Sequence, residues 1–273
     1  MKRVSIVALI LTFGTFFAAP VFAQDDDDAA LKLAEPDFTL ASLPTALRLP
    51  QHKVAFRVTH RFTRPLSCDG CSSSLLGDAF GIDSGAQIGL ELRFAPIRNL
   101  QVGVHRTSGD KTISFFSEYG LLRQGHQLPV EVAILASIDG TNNFQDSHSP
   151  SVGAVVSRRI GEWVALYAEP IWVNNTNPLP KALVDHNDTF LVGIGGRFRV
   201  SSTVYVVADV ASRASGYKPG VNHGSFAIEK RMGGHMFQLN FSDSFATTMS
   251  QIARGGTASK DWYLGFNISR KFF

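Results

Sequence analysis

The chain has only two cysteines in 273 residues, Cys68 and Cys71, so no framework of disulfides can hold it together. Beyond its first residues it also lacks any run approaching the ~18 apolar residues of a membrane-spanning helix, which excludes a helical bundle in a bilayer. Excess charge is missing as well. The formal net charge is +3 and falls to +1 without Lys2 and Arg3, so electrostatics give no reason to expect nucleic acid as a partner. Helix-period patterning is scarce, whereas Gly (24) and Phe (21) are plentiful. Both facts suit β structure.

Met1-Lys2-Arg3 is a short basic start, Val4 to Phe17 is an apolar run, and Val21 and Ala23 stand at the spacing of a cleavage site before Gln24. Residues 1–23 are therefore expected to be a secretory signal, with an apolar core too short for the ~20 residues of an anchor. Gln24 in place of Cys disfavours a lipoprotein. Residues 24–50 open with Asp25 to Asp28 and carry Glu35, Asp37, Pro36, Pro44 and Pro50. They are expected to form a solvated periplasmic lead segment that could tether a periplasmic partner. A calcium site in the aspartate run weighs less than plain solvation. Residues 51–273 form the remaining domain.

Alternation of period two dominates that domain. In 54–62, Val54, Phe56, Val58 and Phe62 share one face, and Arg57, Thr59 and Arg61 the other. In 86–94, Ile88, Leu90, Leu92 and Phe94 oppose Gln87, Gly89, Glu91 and Arg93. Twelve strands are expected, near 54–62, 86–94, 99–106, 112–121, 129–138, 150–157, 162–173, 189–199, 203–212, 226–231, 235–242 and 261–272. Strand 150–157 has ambiguous faces, and 162–173 contains Pro170, which cannot donate to a ladder. The connections alternate long and short, as in a barrel whose short turns face the periplasm; only 107–111 and 122–128 break the trend.

A soluble barrel also alternates but buries its apolar face inside. Charge separates the two cases. The polar faces carry Arg57, Arg61, Glu91, Arg93, His105, Glu118, Glu131, Glu169, Arg197, Arg199, Asp209 and Glu229, with both signs mixed as expected of a polar lumen; a solvated outer face would look similar, and the secretory signal and the count of twelve strands add weight to the membrane barrel. Phe62, Phe94, Tyr119, Trp163, Trp172, Trp262 and Phe272 fall at strand ends, where aromatic girdles sit. The expected fold class is all-β: a transmembrane antiparallel up-and-down β-barrel after a cleaved signal peptide, in the outer membrane of a Gram-negative bacterium and in contact with its lipid.

The last strand, "DWYLGFNISRKFF", sets Trp262, Leu264, Phe266, Ile268 and Phe272 on one face and closes on an aromatic, like the signal read by the outer-membrane assembly machinery. Phe272 shares the parity of the apolar face and Phe273 does not. The segments "GGHMFQLNFSDS" (233–244) and "YLGFNISRKF" (263–272) carry a resemblance supported by "LRLPQHKVAFRVTHRF" (47–62), "YGLLRQ" (119–124), "SRRIGEW" (157–163) and "LVGIGGRFRV" (191–200). In that order the chain resembles a family of bacterial outer-membrane β-barrel proteins catalogued only as a domain of unknown function. The resemblance implies an outer-membrane barrel and carries over no substrate, cofactor or catalytic residue.

Other motifs carry less. "GIGGRF" lies on a strand with no following helix, so Gly193, Gly195 and Gly196 are expected to relieve crowding at a bend and not to cradle phosphate. His60 and Arg106 fall on apolar faces without an evident serine partner, which leaves a rim hydrolase the least favoured class. His148, His186 and His223 each have Asp or Asn nearby, but polar residues are common in wet loops, and no metal site is assigned. In "FATTMSQIA", Phe245, Met249 and Ile252 share a helical face, which could fold inward or pack on neighbouring loops.

Twelve strands enclose more space than side chains alone fill in smaller barrels. The expected function is a narrow, weakly selective channel for small polar solutes, with a plugged structural or partner-binding barrel as the alternative and no enzymatic activity. "SCDGCSS" has Ser72 where haem attachment needs His, and no βαβ setting for a redox centre. In an oxidising compartment, a Cys68–Cys71 disulfide clipping a loop is expected.

Overall fold

The computed structural model describes residues 33–67, 77, 85–125, 128–179, 183, 185 and 187–272; the signal segment, the Asp25–Asp28 run, the Cys68–Cys71 pair and His186 lie outside them. Among the described residues twelve strands form: β1 (Val54–Pro65), β2 (Ala86–Ile97), β3 (Leu100–Thr107), β4 (Ile113–Leu122), β5 (Glu131–Gly140), β6 (Asp146–Ile160), β7 (Val164–Val173), β8 (Thr189–Arg199), β9 (Val204–Ser215), β10 (His223–Met232), β11 (His235–Ser242) and β12 (Tyr263–Phe272). Each pairs antiparallel with its neighbours in sequence, and β1 pairs with β12 to close the barrel. Every strand expected from alternation is present.

Closure removes the free sheet edges that a bilayer cannot hydrate. Pro170 leaves its mark, because the β6–β7 ladder runs from Gly153↔Ile171 directly to Val156↔Ala168 and skips the positions around the proline.

The barrel is apolar outside and charged inside. Leu92 is 49% exposed, Ile194 62% and Ile228 55%, whereas Arg61 is 1% exposed and Arg197 and Glu229 are fully buried. A water-soluble protein distributes these residues the other way, so the exterior is built for hydrocarbon.

The lead segment departs from expectation. Residues 33–50 do not lie in solvent as a tether; they fold back into the barrel, where Leu40, Ala41, Leu43, Thr45 and Ala46 have no exposure. A tight hairpin forms there: Leu40 N donates to Leu43 O at 2.7 Å, and Thr45 N to Phe38 O at 2.9 Å. The physical reason is apolar content, since Leu40, Ala41, Leu43 and Ala46 join one buried cluster with Leu135, Val155, Leu191 and Val207 of the wall. Phe38, Leu47 and Leu49 pack on Ala55 and Ala95.

The loop after β11 also turns inward. Its helix, Met249–Arg254, buries Ser250, Gln251, Ile252 and Ala253, and Ile252 reaches the same cluster as Leu40. Hairpin and helix together occupy most of the lumen.

Leu92→Arg puts a cation on the exterior wall. It is expected to lower barrel stability by about 2–4 kcal/mol if that position is near the bilayer midplane, measured by denaturant titration in lipid vesicles.

Candidate functional site

The lumen of a twelve-stranded wall is wide, and its inward positions are a mixture of ions and very small residues. Gly193 and Gly195 face inward on β8, and the hairpin uses the space they leave: a side chain at Gly193 would meet Leu43 Cδ1 at 2.7 Å, and one at Gly195 would meet Leu40. These glycines admit the hairpin, where the sequence alone suggested relief of a bend.

The hairpin backbone has no sheet of its own to satisfy its carbonyls, so the wall supplies donors. Arg197 donates to Thr39 O at 2.6 Å, Arg61 to Ala41 O at 3.1 Å, Gln238 to Leu40 O at 3.0 Å and Gln101 to Leu47 O at 3.0 Å. In return Asp209, on β9, accepts from Ser42 N at 3.0 Å, and Ser269 donates to Asp37 Oδ2 at 2.9 Å.

Ten of the eleven residues expected to line the lumen are buried inside it. Arg197 and Glu229 form a two-pronged pair at 2.8 and 3.1 Å. Arg93 bridges Glu91 (3.0 Å) and Glu118 (3.4 Å), with its guanidinium between the rings of Phe38 and Phe116. Arg61 also donates to Asn267 at 2.7 Å. Glu169 is fully buried, and neither of its carboxylate oxygens has a partner among the described residues. Glu131 belongs to a cluster at the mouth where the chain enters: it pairs with Arg159 at 2.8 Å and Arg48 at 3.0 Å. Arg57 has no ion pair or hydrogen bond among the described residues.

Arg199 is the exception. It ends β8, pairs with the exposed Glu162 of the β6–β7 turn at 3.2 Å and covers Trp163, so it belongs to the rim and not to the lumen. Its parity is that of Arg197, but the strand stops there.

Residues that alternation missed come mostly from the hairpin and from inward amides. Glu35 accepts from Tyr167 Oη at 2.8 Å and pairs with Arg159 at 3.1 Å. Gln101, Gln238 and Asn267 share the inward parity of the charged residues, a signal that was present in the sequence.

At the opposite mouth the helix is pinned from several sides. Asp139 accepts from Ser250 N at 2.8 Å, Gln87 donates to Gln251 at 3.1 Å, and Arg254 pairs with Asp110 at 3.2 Å. His223 Nδ1 lies 3.0 Å from both Asp243 Oδ1 and Ser244 Oγ. This is not a nucleophile's arrangement, because serine and carboxylate address the same ring nitrogen. Above the helix a vestibule of about 450 Å3 opens, lined in part by Asp110, Tyr217 and Arg254.

His60 stacks on Phe266 at 4.7 Å on the outer wall. His148 is at the rim against Phe144, far in character from the enclosed His223, and no group of three metal-ligating side chains occurs among the described residues.

An exposed apolar wall around an interior of paired charges defines a membrane-bound β-barrel. The sequence matches the family described as a membrane bound beta barrel domain (DUF5777) over residues 37–272, and the chain belongs to that family. No curated protein matches the sequence. Among solved structures, the fold is similar to the KdgM porin in complex with disordered oligogalacturonate, with a TM-score of 0.51, 5% identity, and coverage of 81% of this chain and 99% of that one. It is similar to the COG4313 outer membrane channel from Pseudomonas putida F1, with a TM-score of 0.51, 12% identity, and coverage of 83% and 98%. The NanC porin gives a TM-score of 0.51 at 7% identity, covering 81% and 99%. These likenesses establish the shared fold.

Burial and the neighbouring Glu131 raise the pKa of Glu35 above its ordinary value of 4.5, against the opposing pull of Arg159, the Tyr167 hydroxyl and Arg197. A carboxyl that binds its proton more tightly when docked favours docking most strongly below that ordinary value. The contribution is lost as pH rises through the raised one. A spin label at position 42, with Cys68 and Cys71 changed to Ser, should show a mobile fraction that grows from pH 4.5 upward, with a flatter profile in Glu35→Gln. A mobile fraction that falls as pH rises would contradict this assignment.

Proposed function

We propose that the protein is an outer-membrane channel for small polar solutes in a Gram-negative bacterium, held closed in this conformation by its own residues 33–50. The observation that carries the proposal is the fit between hairpin and wall. Gly193, Gly195, Ala55 and Ala95 present no bulk to the lumen, so the wall by itself leaves a wide passage and the occupant that fills it is a separate, reversibly held segment.

With the hairpin out, the lumen would present Arg57, Arg61, Arg93 and Arg197 together with Glu91, Glu118, Glu131, Glu169, Asp209 and Glu229. Opposed charges of this kind favour dipolar and zwitterionic solutes over strongly charged ones. The helix Met249–Arg254 narrows the same path from the other mouth. The porin and channel neighbours support this reading through their fold. The chemistry is passage, and no catalytic step is proposed.

One observation favours a second reading, a permanently plugged structural barrel: the hairpin carbonyls satisfy Arg61 and Arg197, which would lose those partners on release. Deletion of residues 33–50 separates the two. In planar bilayers, the deleted protein, if heat-modifiable gel mobility shows it folded, should give resolved conductance steps where the full chain is mostly closed. A folded but silent deletion protein would overturn the channel and support the structural role.

A further inference from the structure

We infer that the closed lumen contains a binding site for a small carboxylate with a short apolar tail, seated on Arg57. The site is a pocket of about 90 Å3 between the hairpin, the helix after β11 and strands β1 to β5. At ~10–15 Å3 for each water-sized occupant, it has room for roughly six to nine non-hydrogen atoms. The inference requires the hairpin to be docked but does not require the released pore to conduct.

Arg57 is 8% exposed and lines this cavity, yet its guanidinium makes no hydrogen bond or ion pair with any described residue, and its Nε is buried without a partner. Its neighbours explain why. On β2 the residue directly opposite is Glu91, the natural counter-ion, but the Glu91 carboxylate is turned to Arg93 at 3.0 Å and lies 3.7 Å from His105 Nδ1. On β12 the residue opposite is Ser269, whose hydroxyl is given to Asp37. The other carboxylate lining the cavity, Glu118, also bonds Arg93. Arg93 thus takes the hydrogen bonds of both acids, and Arg57, though in the field of Glu91 and Asp37, is left without a hydrogen-bonded acceptor. A buried guanidinium without an acceptor is costly, and a planar carboxylate matches its fork of donors.

The rest of the lining says what accompanies the carboxylate. Ser114, Ser137 and Thr248 add hydroxyls, and the Thr248 hydroxyl is buried without a partner among the described residues. Leu135, Met249 and Ile252 form an apolar side, which suits a short hydrocarbon tail and not a fully hydrated oxyanion such as phosphate. Because Ser42 of the hairpin and Thr248 of the helix both line the cavity, an occupant touches both closing elements and the wall at once. It would therefore favour the closed state by binding that arrangement alone.

Calorimetric titration of the full-length protein in lipid nanodiscs tests the site with butyrate, butyramide and inorganic phosphate as probes. Saturable butyrate binding is expected, with none for the isosteric uncharged butyramide and none for phosphate. Arg57→Gln should weaken butyrate roughly tenfold or more, as loss of a charge-assisted pair requires. Leu135→Phe, which keeps Arg57 and fills the apolar side, should also weaken it, so the conclusion does not depend on one variant folding. Absence of saturable butyrate binding, equal affinity for butyramide, preference for phosphate, or unchanged butyrate affinity in folded Arg57→Gln would each overturn the inference.

Discussion

Arg197 sits inside the barrel with no exposure, its guanidinium shared between the Glu229 carboxylate and the backbone carbonyls of Asp37 and Thr39. Much of the architecture follows from that kind of contact. A wall that shows hydrocarbon outward must send its charges inward, and charges removed from water need acceptors and counter-ions within reach. Opposite charges that meet across an intervening strand supply part of the demand, as Arg197 of β8 and Glu229 of β10 do. The hairpin's carbonyls meet another part, and so the segment that closes the lumen also completes its polar network.

The same contacts make the closure reversible in principle. The hairpin contributes no strand to the wall, so its withdrawal would break none of the ladder bonds that close the barrel. What holds it is a mixture: a small apolar set around Leu40 and Leu43, polar bonds from Arg61, Gln101, Arg197 and Gln238, and the Glu35 and Arg48 ion pairs at the mouth. Polar bonds exchange with water at small net cost, about 0.5–1.5 kcal/mol each, so a hydrated lumen could replace them. The wall is the permanent element, and the hairpin is the one suited to move.

The barrel was legible in the sequence because period-two alternation over some ten residues is a local signal, and because a secretory signal and an even count of twelve strands favour a membrane barrel over a soluble one with the same alternation. Even 150–157 and the Pro170 strand were found, since neighbours on both sides fix their place. The hairpin was hidden for a physical reason. Residues 24–50 look like a solvated leader when Asp25–Asp28 and the prolines set the impression, and "LASLP" is too short to have a period of its own. Its partners are Gly193 and Gly195, more than a hundred residues away, and a pairing of small with large across a lumen leaves no local trace. Arg57 illustrates the other limit: alternation gives its face, but its lack of a hydrogen-bonded acceptor follows from Arg93 engaging both Glu91 and Glu118, which only the three-dimensional arrangement reveals.

The central claim is that residues 33–50 close the lumen and can leave it. Leu43 and Gly193 touch across the interface, so cysteines at both positions, in a chain whose Cys68 and Cys71 are serine, offer a covalent lock. Single-channel recording of this protein before and after reduction is the most direct measurement. The account predicts a closed lumen when the lock is oxidised and openings that appear when it is reduced; the same conductance in both states would contradict it.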